Sequence, residues 1–245
     1  MTLGLLYGIM ILELRNVDKK TVLKSGVINY VEYLNLKYGG KKMYSTHALE
    51  ISEHALKTPE GLTSVIRFTL CTIQQSLYSC ENQIADIEKH GFKSRFLKNK
   101  QKAKGLKYAM DNQVKLFWDV QELKKQSLND VDTVVKAVRL FNEIPNLGMV
   151  KASFVCQMLG FNVSCLDSHN LNRLGLEQKD VSLPKGLTEK TKLKKIKAYV
   201  HLTQKQGTVY WWDSWCNYVA EKGGANKLLP TGEEVSAFHV GCVVR

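Results

Sequence analysis

The residues best suited to chemistry lie in and after a short turn, Pro145-Asn146-Leu147-Gly148, between two apolar segments. We expect Gly148 to allow a backbone geometry and a close approach that a side chain would block. A helix that begins at this turn points its first N–H groups outward with the positive end of its dipole, which favours a phosphate. Lys151, in the first turn of that helix, adds a mobile cation for the same anion. The alternative is an ordinary helical hairpin that only joins two core helices.

A carboxylate follows the hairpin, at the start of the segment LDSHNLNRLGL at 166–176. Either Asp167 or Ser168 can cap the N-terminus of a short helix there. Such a cap contributes about 1 kcal/mol, which is reason enough for an aspartate at this position. The residue taken alone therefore leaves a structural and a chemical role open.

Helical periodicity runs through most of the chain, so helices are predicted to position these residues. Thr58 followed by Pro59 predicts a helix start, and the helix that follows is apolar on nearly all faces and predicted to be buried. Gly91 predicts a helix stop, and either Asn129 or Asp130 can cap the first hairpin helix. The 245 residues include only 4 Pro and carry no strand-hairpin signal, so the predicted fold class is mainly α.

The charge balance predicts an acidic partner. Lys and Arg total 35 against 23 Asp and Glu, a formal net charge of +12. Nucleic acid is the first expectation and an anionic membrane surface the second. The two most basic stretches, 93–107 and 190–197, could follow a phosphate backbone, although such stretches are by default solvated faces.

The cysteines and the N-terminus predict the compartment. None of the 6 Cys forms a CxxC pair, so no zinc or iron–sulfur spacing is present. Together with the lack of a signal-peptide pattern, this predicts a reducing cytoplasm. The apolar run at 1–14 is interrupted by Glu13 and is shorter than the ~20 residues of a transmembrane helix, so we expect a buried helix or strand.

The segment 137–176 resembles the helix-hairpin-helix DNA glycosylase superfamily, which includes endonuclease III, adenine glycosylase and oxoguanine glycosylase. The family hairpin L-P-G-V-G-x-x-x-A is similar to I-P-N-L-G-M-V-K-A at 144–152. The family's V-D-x-H, followed by an Arg-containing helix, is similar to Leu166-Asp167-Ser168-His169 with Arg173.

Two weaker similarities lie upstream in the same order. The family's S-x-Q resembles Thr72-Ile73-Gln74, and its G-[FY]-x-x-K-A resembles the stretch from Gly91-Phe92 to Lys102-Ala103. The resemblance therefore covers about residues 60–176.

The resemblance implies a two-lobed helical DNA glycosylase fold that contains the helix-hairpin-helix motif. One lobe would span 60–165, with the hairpin at about 137–160, and 1–59 plus 166–245 would form its companion. The implied partner is double-stranded DNA. The protein would act as a monomer and would not bind a membrane.

The resemblance also implies the chemistry and the site. Asp167 would stabilise the positive charge that develops on the sugar as the N-glycosidic bond breaks, after the nucleotide has flipped out of the duplex. Gln74 would be the wedge that fills the gap, although a buried or surface polar contact is as good an interpretation. The implied DNA-binding residues are Asn146, Gly148, Val150, Lys151, Gln74, Lys102 and His169.

Three departures from the family qualify these expectations. Val150 stands where family members that also nick DNA carry a Schiff-base Lys, and Lys151 is turned by about 100° on a helix, so we predict a monofunctional enzyme. Asn146 stands where the family usually has Gly. The family's C-terminal four-cysteine loop is missing, so no iron–sulfur cluster or other metal cofactor is predicted beyond a monovalent cation at the hairpin carbonyls.

The role of the aromatic residues near the C-terminus stays open, and so do two further functions of the protein. Stacking of a flipped base is one possible role of four aromatic residues, but their near-helical spacing favours a core role; they are Tyr210, Trp211, Trp212 and Trp215.

The first alternative function is a base-modifying transferase on the same scaffold, of the thymine-hypermodification type. The second is a non-catalytic DNA-binding module that uses only the hairpin.

Overall fold

The structure is a computed structural model that describes residues 55–73 and 77–212. Within these residues it contains helices and turns and no strand, which confirms the mainly α class for this part of the chain. The helices are α1 Pro59–Cys71, α2 Leu77–His90, α3 Lys100–Asp111, α4 Gln113–Gln126, α5 Val131–Asn142, α6 Met149–Met158, α7 Ser168–Arg173 and α8 Glu189–Gln204. Two 3-10 turns, Gly91–Lys93 and Arg95–Lys98, lie between α2 and α3, and residues 207–212 are helical again.

Side-chain caps begin five of these helices, and three of the five caps lie at positions that the sequence predicts. The capping residues of α1, α3, α5, α7 and α8 are Thr58, Asn99, Asp130, Asp167 and Thr188. Asp130 therefore caps α5 in preference to Asn129, and Asp167 caps α7 in preference to Ser168. Pro59 begins α1 as predicted, and Gly91 follows the last residue of α2 with a φ of 55°. The basic stretch 93–107 is mostly helical, with its second half inside α3.

The first helix is the centre of the described fold. α1 contacts α2, α3, α4 and α6, and its buried side chains lie on nearly all of its faces, which confirms the prediction from the sequence. Leu62 and Ile66 are fully buried. The helix is thus covered by helices that follow it at short and at long distances along the chain, including the second hairpin helix.

The hairpin helices α5 and α6 pack against each other, and α8 lies antiparallel on α5. Arg139 near the end of α5 pairs with Glu189 at the start of α8. Lys197, farther along α8, pairs with Asp132 near the start of α5 at 2.7 Å. Helical periodicity predicts that the core face of α5 consists of residues 131, 134, 135, 138 and 140. The three residues at its centre are buried, while Val131 and Leu140 at its two ends are only partly buried.

The lobe boundaries predicted from the sequence are left as predictions. The companion lobe would draw on 1–59 and 166–245, and of these the structure describes only 55–59 and 166–212. The N-terminal apolar run at 1–14 lies outside the described residues. None of the helices described is long and apolar enough to cross a membrane.

A glycine in α3 lets the hairpin turn approach closely. A Cβ on Gly105 would lie 2.3 Å from the carbonyl oxygen of Pro145 and 3.0 Å from Cδ2 of Leu70. The first distance is far below any real contact, and the atom concerned is backbone, which cannot rotate away. Gly105 therefore seats α3 directly against the turn that begins the predicted phosphate site.

We expect Gly105→Ala to lower the free energy of unfolding by about 1–3 kcal/mol, because the overlap with the Pro145 carbonyl outweighs the better helix propensity of alanine. Urea denaturation measures the change. The matched control is Lys104→Ala, an exposed position on the same helix, which should leave stability nearly unchanged. A Gly105→Ala protein as stable as wild type would show that α3 can move away from the hairpin.

Candidate functional site

Hydrogen bonds between neighbouring residues hold the hairpin turn. The N–H of Leu147 donates to the carbonyl of Ile144 at 3.0 Å, and Nδ2 of Asn142 donates to the carbonyl of Leu147 at 2.9 Å. Asn146 has a φ of 71°, in the left-handed region that Asn tolerates better than most residues. The departure from the family's Gly at this position is therefore compatible with the turn.

The expectation that Gly148 supplies a special backbone geometry is wrong. Its φ of −65° and ψ of 169° are open to any residue, because the chain has already reversed at Asn146. The position is open, because a Cβ built there meets no atom within 4 Å. The second half of the expectation, a close approach by a ligand, stays a prediction that this open position allows.

The N-terminus of α6 is an exposed backbone site. Gly148 is the N-cap residue, has no side chain with which to cap the helix, and is exposed. The next two side chains, Met149 and Val150, point into the core, and Val150 is only 9% exposed. A DNA contact at Val150 could therefore involve its backbone N–H alone. The positive end of α6 thus faces outward at Gly148, between side chains that turn away from it.

Lys151 lies where α6 meets the end of α1. Its Nζ is 3.5 Å from Oγ1 of Thr72 and 5.4 Å from the centroid of the Phe154 ring. Thr72 is the C-cap of α1 and belongs to the segment Thr72-Ile73-Gln74. Gln74 lies outside the described residues. Lys151 is therefore partly buried beside the segment predicted to carry the wedge, and is not a cation that swings freely in solvent.

Asp167 is the N-cap of α7 and is partly buried. Its Oδ1 accepts a hydrogen bond from the N–H of Asn170 at 3.0 Å. The structural role that the sequence allows for Asp167 is thus confirmed. The catalytic role of Asp167 stays a prediction.

Two helices hold the backbone directly before Asp167. Oε1 of Gln157, on α6, accepts from the N–H of Cys165 at 2.9 Å. The hydroxyl of Tyr199, on α8, accepts from the N–H of Leu166 at 2.9 Å and donates to the carbonyl of Ser164 at 2.7 Å. The hairpin helix and α8 together therefore set the position of the carboxylate.

The thiol of Cys165 lies in the field of both charged residues. Burial raises its pKa to about 11, while Lys151 lowers the pKa and Asp167 raises it. Burial likewise raises the pKa of the Tyr199 hydroxyl well above its ordinary value, with Cys165 and Asp167 adding to the rise. Lys151 and Asp167 are thus electrostatic neighbours of one thiol, which stays protonated at neutral pH and is a poor nucleophile.

We expect Tyr199→Phe to lower the free energy of unfolding by about 2–4 kcal/mol, because the buried Leu166 N–H and Ser164 carbonyl both lose their partner. Chemical denaturation measures the loss. Tyr210→Phe is the matched control: Tyr210 is 40% exposed and accepts its bond from Arg173 at the surface, so little should change. Equal effects of the two substitutions would contradict a special role for Tyr199.

The aromatic group near residue 210 is divided between core and surface. Trp211 and Trp212 are buried, and Nε1 of Trp211 donates to the carbonyl of Thr203 at 3.0 Å. This confirms the core interpretation for these two residues. Tyr210 is exposed, and Trp215 lies outside the described residues.

Two further residues predicted to bind DNA are not at the hairpin. Lys102 is 7% exposed, and its Nζ donates to Oε1 of Gln83 at 3.2 Å, between α3 and α2. This interior position argues against a phosphate contact at Lys102. His169 is partly buried on α7, and its DNA contact stays a prediction.

The sequence did not predict that Gln157 and Tyr199 bind the backbone before Asp167. A polar residue in the apolar run SFVCQML is a signal for a buried hydrogen bond, because an unsatisfied amide is costly there. Tyr199 lies just after the basic stretch 190–197, and its burial depends on how α8 packs.

No family model, curated protein or solved structure matches this chain.

Proposed function

We propose that this chain is a DNA N-glycosylase that acts as a monomer on double-stranded DNA, in a two-lobed helical fold. It flips a damaged or modified nucleotide out of the duplex and cleaves the bond between sugar and base. The observation that carries the proposal is that one helix, α6, contacts both parts of the candidate site, the hairpin turn and the segment before Asp167. The helix begins at the exposed, uncapped Gly148, and its Gln157 holds the backbone that leads to Asp167.

The hairpin supplies the DNA contact. A phosphate at Gly148 would meet the positive end of α6 without a side chain in the way. Asn146 and Gly148 are both exposed, so a DNA strand has access to the turn. The net charge of +12 favours association with the duplex in general. A phosphate fixed at this point would place the neighbouring nucleotide relative to Asp167.

Asp167 supplies the chemistry. As the bond from the sugar C1′ to the base nitrogen breaks, the base leaves with the electron pair and the sugar gains positive charge. A fixed carboxylate stabilises that charge and orients a water molecule, whose oxygen forms the new bond to C1′. The water gives up one proton as it bonds to C1′, the base takes one up and departs as the free base, and the DNA is left with an abasic sugar.

Water is the proposed nucleophile because the nearby side chains are poorly suited to the role. Val150, at the position of the family's Schiff-base Lys, is apolar and buried. The thiol of Cys165 has its pKa raised to about 11 by burial. Lys151 is directed to Thr72 and the Phe154 ring. We therefore propose a monofunctional enzyme without strong strand-nicking activity.

The test is product analysis on a panel of duplex oligonucleotides that carry damaged and modified bases. Mass spectrometry should find a free base and an abasic strand for at least one member of the panel. Borohydride should trap no covalent protein–DNA adduct. A heavier, intact nucleotide would assign the chain to base modification instead. Binding without any reaction across the panel would favour a DNA-binding module.

A further inference from the structure

The outward face of α8 carries a row of basic side chains. The exposed members recur at three- and four-residue spacing and are Lys190, Lys194, Lys197, His201 and Lys205. We call these five residues the α8 stripe. At 100° and 1.5 Å per residue, they fall within about 80° of the helix circumference and span about 22 Å.

In the described residues, one of the five members of the α8 stripe has a carboxylate partner, whereas three exposed lysines of α3 and α4 each have one. On α3 and α4, Lys107, Lys115 and Lys125 each pair with a carboxylate of their own helix, at 2.9, 2.7 and 2.6 Å. The sequence contains no Asp or Glu from 190 to 212. In the described part of the chain, Lys197 is the one stripe residue with a carboxylate within 4.0 Å. Repeated like charges destabilise a helix, and a polyanion bound along the row would offset this.

The buried face of α8 argues for a nucleic acid over a membrane. The apolar side of the helix, centred on Ile196, Tyr199 and Val200, packs in the protein core. A helix that binds a membrane surface inserts its apolar face into the lipid, and that face of α8 is occupied. Duplex DNA needs only the charged side, and over 22 Å it presents about a dozen phosphates.

The stripe starts at the hairpin end of the fold. Because α8 is antiparallel to α5, its first residue, Glu189, pairs with Arg139, which also pairs with Glu143 at 3.1 Å. Glu143 immediately precedes Ile144 and the hairpin turn. Lys190 therefore lies toward the hairpin, and the rest of the stripe leads away from it along α5.

We propose that the α8 stripe is a second contact surface for the duplex DNA backbone, which continues the binding site beyond the hairpin. The inference rests on the DNA binding of the proposed function and not on base excision. Each stripe lysine that meets a phosphate releases a counterion, so the surface should appear in the salt dependence of binding.

The experiment compares two triple variants with the same loss of charge. The stripe variant carries Lys190→Gln, Lys194→Gln and Lys205→Gln, and keeps Lys197 because its pair with Asp132 ties α8 to α5. The control carries Lys107→Gln, Lys115→Gln and Lys125→Gln, whose lysines are already paired. Affinity for an unmodified duplex of about 30 base pairs is measured by fluorescence anisotropy between 50 and 200 mM salt.

The expected result is a shallower salt dependence for the stripe variant only. At about 0.9 per lost phosphate contact, the slope of log affinity against log salt should fall by about 2.7. Between 50 and 200 mM salt the wild type should then lose about 40-fold more affinity than the stripe variant. The control should follow the wild type.

Other outcomes separate the two proposals. Equal slopes for the stripe and control variants would overturn the α8 stripe and leave the hairpin and Asp167 untouched. No duplex binding by the wild type would overturn both. Vesicles that contain phosphatidylserine provide the membrane arm. If the wild type binds them, the stripe variant does not, and the DNA slopes are equal, the stripe belongs to a membrane and our assignment is wrong.

Discussion

Asp167→Asn should reduce the rate of base release by about 100- to 1,000-fold, the usual effect of removing one electrostatic group that stabilises a developing charge. Asn caps helices about as well as Asp, so the bond from the N–H of Asn170 should be retained and α7 should stay intact. If the protein binds DNA phosphates as proposed, removing a negative charge should leave DNA affinity unchanged or slightly higher. Single-turnover kinetics on the substrate found in the panel measure the rate.

The matched control for this substitution is Asp130→Asn. Asp130 caps α5 just as Asp167 caps α7, and its carboxylate accepts from the N–H of Thr133 at 2.8 Å. If capping were the whole role of Asp167, the two substitutions would have the same small effect on the rate. A wild-type rate for Asp167→Asn would therefore end the catalytic proposal, whatever the DNA affinity.

Gly148→Asp should change stability and DNA binding in opposite directions. The backbone at Gly148 has dihedral angles that suit a capping Asp, and there is open space for its side chain. A carboxylate at the N-terminus of α6 should stabilise the protein by about 0.5–1 kcal/mol through the helix dipole and the capping bond. The same charge would repel a phosphate at that point, so DNA affinity should fall by about tenfold or more. Denaturation and anisotropy measure the two effects.

Gly148→Asn tests whether the effect of Gly148→Asp on DNA binding comes from its charge or from the presence of a side chain. Its amide oxygen can cap α6 as the Asp does, but it brings no charge. We expect its affinity for DNA to lie between those of wild type and Gly148→Asp. If both variants bind DNA as wild type does, the N-terminus of α6 is not a phosphate site. The proposed function would then lose the observation that carries it.

Several helix boundaries were predictable because their causes are local. The cap at Thr58 and the stop at Gly91 depend on residues within one turn of the helix end. At Asp130 and Asp167 the sequence left a choice between neighbours, and both helices use the Asp. The error at Gly148 has a local cause as well: the turn reverses at Asn146, whose short polar side chain tolerates a positive φ.

The surroundings of the candidate site were not predictable in the same way. Lys102 follows a family-like pattern, yet it lies in the interior beside Gln83. Gly105 is one of 17 glycines, and only the approach of the Pro145 carbonyl gives it a specific role. Both depend on how α3 packs against elements that are distant in the chain, which no local pattern contains.

The sequence by itself determined the helical class, several helix ends and the order of hairpin and carboxylate, because periodicity, capping and turn chemistry act between residues a few positions apart. The tertiary structure alone decided what surrounds Asp167 and which basic residues face outward. Tyr199 reaches the backbone on both sides of Cys165 from 33 to 35 residues away. The packing of α8 on α5 turns one side of this basic helix outward as the α8 stripe. Contacts of this kind are fixed by the burial of apolar faces, which selects one arrangement of the helices among many that the same local signals would permit.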